Sequence, residues 1–222
     1  MNPDPRIFVV DDDASVREYL DQLLSAAGYR VETFALARDF LDRERYDGPA
    51  CLVLDVELPD LNGLELQHML AASDYWVPIV FITGHGDIPM SVRAMKAGAV
   101  DFLSKPFDRK ALLLAVEQAL EHSRMALRQT GEAALARKLL EKLTPREKET
   151  LRHLLTGQLN KQIAADLGIS ETTVKIHRSR VMHKMRVQSV TDLVRLVEKA
   201  DLPAHRMGAP TSIRSSAPES KV

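Results

Sequence analysis

Short apolar runs alternate with amphipathic segments along residues 1–121 of the chain. The run Cys51-Leu52-Val53-Leu54 is bounded by Gly48-Pro49 and Pro59, and a continuous apolar run of this length is typical of a strand covered on both faces. Each such run is followed by apolar positions at helical spacing, which predicts five strands alternating with five helices. This order indicates a doubly wound, five-stranded, mostly parallel sheet. The predicted strands cover residues 7–10, 29–33, 51–55, 77–82 and 100–103.

A different pattern follows in residues 143–200, where four short helical segments are separated by capping residues. Thr144 is followed by Pro145 and Glu147, the order of an N-cap, a first-turn proline and a closing capping box. The tight turn Gly168-Ile169-Ser170 joins the second and third segments. Four helices in this order predict an all-α domain of the helix-turn-helix type. The predicted N-caps are Thr144, Asn160, Ser170 and Ser189, the last together with Asp192.

Between these two patterns the helical spacing continues, and we expect a helical connector with a bend at Thr130-Gly131. Leu135, Leu139 and Leu143 recur at helical spacing, which fits either pairing of two subunits or packing on one of the domains. The resulting division is a first domain at 1–121, a helical linker at 122–142, a second domain at 143–200 and, from its Pro, Ser, Ala and Gly content, a disordered tail at 201–222.

The net charge of −1 is unevenly distributed along the chain. Residues 1–121 contain 11 Lys and Arg against 21 Asp and Glu, whereas residues 122–200 contain 16 against 8. This asymmetry favours nucleic acid as the partner of the second half. The single cysteine, Cys51, excludes an intramolecular disulfide framework. No apolar run reaches the length of a membrane span and the N-terminus lacks a secretory pattern, so we expect a cytoplasmic protein without a membrane partner.

Chemically distinctive residues stand at the ends of the predicted strands. The carboxyl ends of parallel strands meet at one edge of a sheet. Three carboxylates at that edge repel one another unless a cation neutralises them, and oxygen ligands on a rigid scaffold suit Mg²⁺. A lysine and a threonine hydroxyl opposite the metal are placed to hold the oxygens of a phosphoryl group on Asp55, because carboxylates accept phosphoryl groups covalently. The residues are Asp11 and Asp12 after the first strand, Asp55 at the third, Thr83 at the fourth and Lys105 after the fifth.

These residues lie in segments that resemble the receiver domain of bacterial response regulators, closest to the FixJ branch. The segments are Val10-Asp11-Asp12, Leu54-Asp55-Val56-Glu57-Leu58-Pro59 with Gly63, Phe81-Ile82-Thr83-Gly84, and Asp101-Phe102-Leu103-Ser104-Lys105-Pro106-Phe107. The resemblance implies a flavodoxin-like fold with Asp55 as the phosphoacceptor. It implies that Mg²⁺ binds among Asp11, Asp12, Asp55 and the backbone carbonyl of Glu57. It also implies that Thr83 and Lys105 contact the phosphoryl group and that Thr83 and Phe102 turn inward on activation.

The third helix of the second domain has one apolar and one polar face. Val174, Val181 and Met185 fall on the stripe that we expect to face the core. The opposite face is available to a DNA major groove, where Lys175 suits a guanine edge and Ile176 a thymine methyl group. The outer face carries Thr172, Lys175, Ile176, Ser179 and His183, and the flanking residues predicted to contact phosphates are Arg178, Arg180 and Lys184.

The second domain also resembles a known family, the LuxR-type DNA-binding domain, over residues 143–199. The segments that carry this resemblance are Leu143-Thr144-Pro145-Arg146-Glu147, Asn160-Lys161-Gln162-Ile163-Ala164, Leu167-Gly168-Ile169-Ser170 and Thr173-Val174-Lys175-Ile176-His177-Arg178. The resemblance implies base contacts at Lys175, Ile176 and Ser179.

The two resemblances together imply a two-component response regulator of the FixJ/NarL type. A sensor histidine kinase would phosphorylate Asp55, and the phosphorylated form would dimerise and bind promoter DNA, with RNA polymerase as a further partner. We do not expect this protein to be an enzyme, apart from accepting a phosphoryl group from the kinase and removing that group from itself. One alternative is a DNA-binding regulator that works without phosphorylation. Another is an aspartyl-phosphate phosphotransferase acting on small molecules, which the short loops after the strands disfavour.

Overall fold

The computed structural model describes residues 3–73, 75–84 and 88–201. Contacts within these residues divide them into two compact units, at 3–127 and 128–201. The predicted disordered tail lies outside the described residues beyond Asp201, and the predicted division at residues 121 and 143 stays a prediction. None of the described helices combines the length and the apolar character that a membrane-spanning segment needs.

The first unit is an α/β domain. Its strands are β1 (Arg6–Val10), β2 (Arg30–Phe34), β3 (Ala50–Asp55), β4 (Ile79–Thr83) and β5 (Asp101–Ser104). Its helices are α1 (Ala14–Ala26), α2 (Ala37–Asp42), α3 (Gly63–Ala72), α4 (Ile88–Lys96) and the first part of α5 (Arg109–Glu141). The strands form one sheet in the order β2-β1-β3-β4-β5, and every pairing is parallel. The predicted doubly wound fold is confirmed.

The central strand β3 is buried along its whole length. Because successive side chains of a strand point to opposite faces, the sheet fills two separate cores. Phe8, Leu52 and Phe81 pack with α2, α3 and α4 on one face, and Ile7 and Val53 pack with α1 and α5 on the other. Each fully buried side chain of this size contributes about 1.5–3 kcal/mol to folding. Cys51 is also a core residue, and its burial raises the pKa of its thiol.

The register of the strands aligns their carboxyl ends. Leu54 lies beside Val10, and Thr83 lies beside Ser104. The backbone N–H of Lys105 donates to the Thr83 carbonyl at 2.7 Å, which extends this alignment by one residue. The residues that leave the sheet together at this edge are Asp11, Asp55, Thr83 and Lys105.

The second unit is all-helical, as the sequence predicts. It contains the last part of α5 followed by α6 (Pro145–Leu155), α7 (Asn160–Leu167), α8 (Glu171–Lys184) and α9 (Val190–Asp201). Gly168 ends α7 with φ of 64°, a left-handed conformation that glycine adopts without strain, and allows the tight turn into α8. The core of this unit contains Leu139, Leu143, Leu151, Leu154, Ile163, Val174, Val181, Met185 and Leu193.

Three of the four predicted caps are confirmed. Thr144 and Glu147 form a complete capping box, and the hydroxyls of Ser170 and Ser189 accept backbone N–H groups at the starts of α8 and α9. The prediction for Asn160 is wrong, because α7 begins at Asn160 and its N-cap is Leu159. The Leu159 N–H donates to the Gln162 side chain at 2.8 Å, so the helix starts one residue earlier than a cap at Asn160 requires.

The last part of α5 packs on α9. Leu139 is buried in the core of the second unit, whereas Leu135 is half-exposed. Arg137 Nε donates to the Ala200 carbonyl at 2.9 Å, and Lys199 pairs with Glu132 at 2.7 Å. Of the two arrangements that the sequence leaves open, these contacts correspond to packing on a domain. The helix runs without interruption through the predicted bend at Gly131.

Candidate functional site

Three carboxylates converge at the carboxyl edge of the sheet. Asp11 and Asp55 are buried and Asp12 is exposed, and carboxylate oxygens of all three lie within 4.8 Å of one another. They meet because β1 and β3 are adjacent parallel strands. Carboxylate oxygens at this spacing fit Mg²⁺, which takes a few protein oxygens and keeps several waters.

Lys105 bridges the two buried carboxylates. Its Nζ donates to Oδ2 of Asp11 and to Oδ2 of Asp55, each at 2.6 Å. Burial disfavours the charge of Lys105, but its bonds to the two carboxylates outweigh burial and raise its pKa above the ordinary value. Burial raises the pKa of Asp11, and its hydrogen bond from Lys105 only partly offsets this. The lysine is therefore charged and holds the pair of acids together.

The carboxylate of Asp55 is oriented by two contacts. Oδ1 accepts the backbone N–H of Glu57 at 3.1 Å, and Oδ2 accepts from Lys105. Thr83 is fully buried at the end of the neighbouring strand. The structure thus brings the predicted residues Asp55, Thr83 and Lys105 to one edge and places the backbone of Glu57 directly against Asp55.

Gly63 allows the start of α3 to approach the backbone of Asp55. Its N–H donates to the Val56 carbonyl at 2.9 Å. A Cβ at this position would lie 2.4 Å from the Asp55 carbonyl oxygen, closer than any real contact. Only glycine fits here without moving the strand end that carries Asp55.

The loop between β1 and α1 is held by side chains at both of its ends. Asp13 caps α1 by accepting the Ser15 N–H at 2.8 Å. Arg17 donates from Nη1 to the Asp11 carbonyl at 2.7 Å. Sequence reasoning missed Arg17, because nothing in the pattern of α1 distinguishes a side chain that turns back to the loop from one that points to solvent.

Asp60 is a second residue near the edge that sequence reasoning missed. It lies in the loop after β3 and accepts the backbone N–H groups of Ala37 and Arg38, at 3.2 and 3.0 Å. Burial raises the pKa of Asp60, but these two bonds outweigh it and the net shift is downward. Asp60 therefore caps α2 from a distant loop, and no local capping pattern in the sequence reveals this.

Phe102 lies on β5 and is half-buried. Its ring packs at 6.1 Å from the ring of Phe81, against the core that contains α4. Phe102 therefore packs against the core on the face of the sheet that carries α4.

The recognition face predicted on α8 is divided by burial as the helical wheel requires. Val174, Val181 and Met185 are fully buried. The side chains left on the outside include Ile176, which is 47% exposed although apolar. An isolated apolar side chain between polar neighbours fits a base methyl group better than a protein core. The exposed or half-buried outer residues are Thr172, Lys175, Ile176, Arg178, Ser179 and Arg180.

Lys184 is placed differently from the other predicted DNA contacts. Its Nζ donates to the buried carboxylate of Glu147 at 2.6 Å and to the Lys142 carbonyl at 3.2 Å. Burial raises the pKa of Glu147, but the bonds from Lys184 and Thr144 outweigh it and the net shift is downward. Lys184 joins the end of α8 to the start of α6, which the sequence does not reveal because the two residues are 37 positions apart.

A basic cleft of about 590 Å³ lies beside the outer face of α8. Lys175 and Arg178 supply its positive charge, and the start of α9 closes one side. Its walls offer cationic and hydroxyl groups, which are the groups that contact DNA phosphates. The lining residues are Asn160, Lys175, Arg178, Ser179, Met182, Gln188, Ser189 and Val190.

Both halves of the chain match known protein families. The family described as "Response regulator receiver domain" matches residues 7–117, and "Bacterial regulatory proteins, luxR family" matches residues 141–197. The chain belongs to the response regulators that carry a LuxR-family DNA-binding domain. It is thus a transcriptional response regulator of a two-component system, and its family is not one of classical enzymes.

Relatives of this response regulator match over nearly the whole chain. It is 49% identical over 199 residues to "Nodulation protein W" of Bradyrhizobium diazoefficiens, which covers 90% of this chain and 88% of that protein. It is 45% identical to "Response regulator protein TmoT" of Ectopseudomonas mendocina, over 87% of this chain and 88% of that protein. The "Transcriptional regulatory protein FixJ" of Bradyrhizobium diazoefficiens is 40% identical, over 88% and 96%.

Solved structures of response regulators match over the same extent. The low-resolution structure of the response regulator StyR superposes with a TM-score of 0.79 at 50% identity, covering 89% of this chain and all of that one. Full-length FixJ from B. japonicum gives a TM-score of 0.53 at 39% identity, covering 90% and 98%. The predicted order of a receiver followed by a helix-turn-helix domain is therefore confirmed.

Proposed function

We propose that this response regulator accepts a phosphoryl group on Asp55 from a sensor histidine kinase and thereby changes its binding to promoter DNA. The observation that carries the proposal is the bridge from Lys105 to Asp55 and Asp11, both at 2.6 Å, at the edge where Asp12 and Thr83 also emerge. A charged lysine beside a buried, oriented carboxylate is what phosphoryl transfer to an acid requires, since the transfer needs mainly positioning and charge neutralisation.

In the transfer step an oxygen of Asp55 attacks the phosphorus of the phosphohistidine. The P–N bond breaks, the histidine nitrogen takes a proton, and an acyl phosphate forms on Asp55. The Glu57 N–H holds one carboxylate oxygen of Asp55 during the approach. Lys105 Nζ then donates to the phosphoryl oxygens, which carry the new negative charge, and the Thr83 hydroxyl donates to one of them. Attack by water on the same phosphorus later returns Asp55 to its free form.

Asp11, Asp12, Asp55 and the backbone carbonyl of Glu57 would hold Mg²⁺. The ion supplies neutralisation of the phosphoryl oxygens that approach this acidic edge. Lys105 pairs with both Asp11 and Asp55, so its Nζ already supplies positive charge to the two buried carboxylates that would hold the ion.

Phosphorylation alters the face formed by α4, β5 and α5 through inward movement of Thr83 and Phe102. Ile88, Val92 and Met95 form an apolar stripe on α4, with Ile88 80% exposed. A second copy of the phosphorylated chain covers this face, and the dimer places two α8 helices on half-sites about one DNA turn apart. RNA polymerase is a further partner at the promoter. A role on bacterial DNA makes the cytoplasm the site of action.

The DNA contacts follow the exposed side of α8. Lys175, Ile176 and Ser179 read base edges with Thr172, whereas Arg178 and Arg180 contact phosphates. Lys184 was predicted as a phosphate contact, but its bond to Glu147 favours a role inside the domain. Lys175→Ala should weaken specific binding relative to non-specific binding by about 1–3 kcal/mol. The exposed Lys148→Ala on α6 is the charge-matched control, and an equal loss on both DNAs for Lys175→Ala would contradict base reading.

The phosphorylation site is tested with the full chain, acetyl phosphate and Mg²⁺. The wild type should acquire a phosphoryl group that is labile to both acid and base, as an acyl phosphate is, and Asp55→Ala should acquire none. Asp39→Ala, at an exposed position on α2, removes a carboxylate without touching the edge and should label like the wild type. Label that persists on Asp55→Ala refutes the assignment.

A regulator that works without phosphorylation is the second candidate. It predicts equal promoter affinity before and after acetyl phosphate treatment, even when Asp55 is fully labelled. The small-molecule phosphotransferase is disfavoured by the family, and turnover of small phosphoesters by the purified chain would revive it.

A further inference from the structure

The orientation of Asp12 is not set by its own side chain. Within the described residues the Asp12 carboxylate accepts no hydrogen bond, and it is exposed. It nevertheless lies within 4.8 Å of the other two acids. Its position must therefore come from the backbone that carries it.

That backbone is fixed through the peptide unit between Asp11 and Asp12. A peptide bond is planar, so the direction of the Asp11 carbonyl also fixes the N–Cα bond of Asp12. Arg17 Nη1 donates to that carbonyl at 2.7 Å. On the other side, the Asp11 N–H donates to the Phe34 carbonyl at 3.2 Å, and Asp11 Oδ1 accepts from the Asp13 N–H at 2.9 Å.

Every polar group of Asp11 thus has a partner, because Lys105 donates to Oδ2, and Arg17 is the side chain that holds the backbone carbonyl. Arg17 lies in the first turns of α1, where the helix dipole disfavours a positive charge. Its side chain reaches back toward the helix N-terminus, the direction that helical side chains take. Arg17 is partly buried against the loop, which indicates a specific contact and not a solvated surface charge.

We propose that Arg17 is a positioning residue for the cation site, one that fixes Asp11 and Asp12 by holding the peptide between them. The inference rests on the proposed function, because it assumes that these two acids bind Mg²⁺. Without the hydrogen bond from Arg17, the peptide unit between Asp11 and Asp12 rotates more freely, and the Asp12 carboxylate is no longer held near the other two acids. Residues that orient metal ligands typically change metal affinity by about 10- to 100-fold when removed.

The test measures Mg²⁺ binding to the full unphosphorylated chain by isothermal titration calorimetry. Arg17→Gln should raise the dissociation constant about tenfold. Arg17→Lys, which keeps one charged donor, should recover part of the loss. Arg38→Gln removes an arginine from the exposed surface of α2 and should bind like the wild type. Thermal unfolding without Mg²⁺ is recorded for each variant, since a purely structural role would lower the unfolding temperature and leave the dissociation constant unchanged.

A second measurement separates binding from chemistry. The rate of labelling by acetyl phosphate is followed against Mg²⁺ concentration. Arg17→Gln should need more Mg²⁺ for half-maximal labelling and should reach a maximal rate close to that of the wild type. An unchanged Mg²⁺ dissociation constant in Arg17→Gln overturns the inference while leaving the proposed function intact. Absence of Mg²⁺ binding in the wild type overturns the proposed function itself.

Discussion

The ion pair between Lys184 and Glu147 makes a prediction that separates a core role from a DNA contact. Glu147 is buried, and its carboxylate accepts from Lys184 at 2.6 Å and from the Thr144 N–H at 2.9 Å. Removing the lysine as Lys184→Met leaves a buried carboxylate with one partner fewer. A hydrogen bond between charged groups contributes about 1.5–3 kcal/mol, so we expect a loss of about 2 kcal/mol in unfolding free energy.

Glu147→Ala should cost more than Lys184→Met. It removes the same ion pair and also the acceptor that closes the capping box of α6, which adds about 1 kcal/mol. The expected loss is therefore about 3 kcal/mol. Because both changes break one interaction, the double variant should lose about 1–2 kcal/mol less than the sum of the single losses.

The chain itself supplies a convenient assay. Residues 128–201 contain no Phe, Tyr or Trp, whereas the single tryptophan, Trp76, lies in the first unit. Urea unfolding followed by Trp76 fluorescence reports the first unit, and far-ultraviolet circular dichroism reports the helices of both units. The variants should shift the circular dichroism transition and leave the fluorescence transition in place. Lys148→Met, an exposed lysine on the same helix as Glu147, is the control.

The contribution of the pair should also depend on pH. The folded-state pKa of Glu147 is lowered from its ordinary value of 4.5, so its stabilisation is present above pH 4.5 and is lost as pH falls through the lower folded value. The difference between wild type and Glu147→Gln should shrink in that acidic window. If Lys184→Met unfolds like the wild type at neutral pH, while its DNA binding loses about one unit of salt dependence, Lys184 is a phosphate contact and the core role is refuted.

Three other substitutions test the first unit. Gly63→Ala should lower the free energy of unfolding by about 1–3 kcal/mol and slow labelling of Asp55, because the new Cβ would lie 2.4 Å from the Asp55 carbonyl oxygen. Gly131→Ala is the control. It adds a Cβ in open space on α5 and should be neutral or stabilising by up to about 1 kcal/mol. Arg43→Lys should lose about 1–2 kcal/mol in urea unfolding, because the guanidinium lies 4.1 and 3.9 Å from the ring centroids of Phe8 and Phe40, and an ammonium cannot stack on both. Asp60→Ala should lose about 1 kcal/mol by removing the cap of α2; a loss no larger than that of Asp39→Ala would contradict this role.

The sequence predicts the edge of the sheet well because the logic is topological. Apolar runs identify strands, parallel order brings their carboxyl ends together, and so Asp55, Thr83 and Lys105 had to meet. The same holds for Val174 and Val181, which helical periodicity places in the core. These predictions depend only on the spacing of apolar residues and on the order of the strands, and both can be read directly from the sequence.

Other features depend on long-range contacts that no period encodes. Lys184 looks like any basic residue of a DNA-binding helix until Glu147 is seen beside it. Asp60 caps a helix that begins 23 residues earlier. Asn160 carries the residue type of a cap, but the Gln162 side chain satisfies the preceding N–H and moves the helix start. In each case a distant or competing partner determines the role of an ordinary polar side chain.

The contacts between the end of α5 and α9 bear on how modular regulators of this kind can be recombined. A chimera that joins a foreign receiver at residue 143 would discard Leu139 and the partners of Lys199 and Ala200. A junction placed before Glu132 would carry them along with the DNA-binding helices. The segment to transfer with the DNA-binding domain is therefore longer than the family match at 141–197. It includes the last turns of α5, a helix that begins at Arg109 in the first unit.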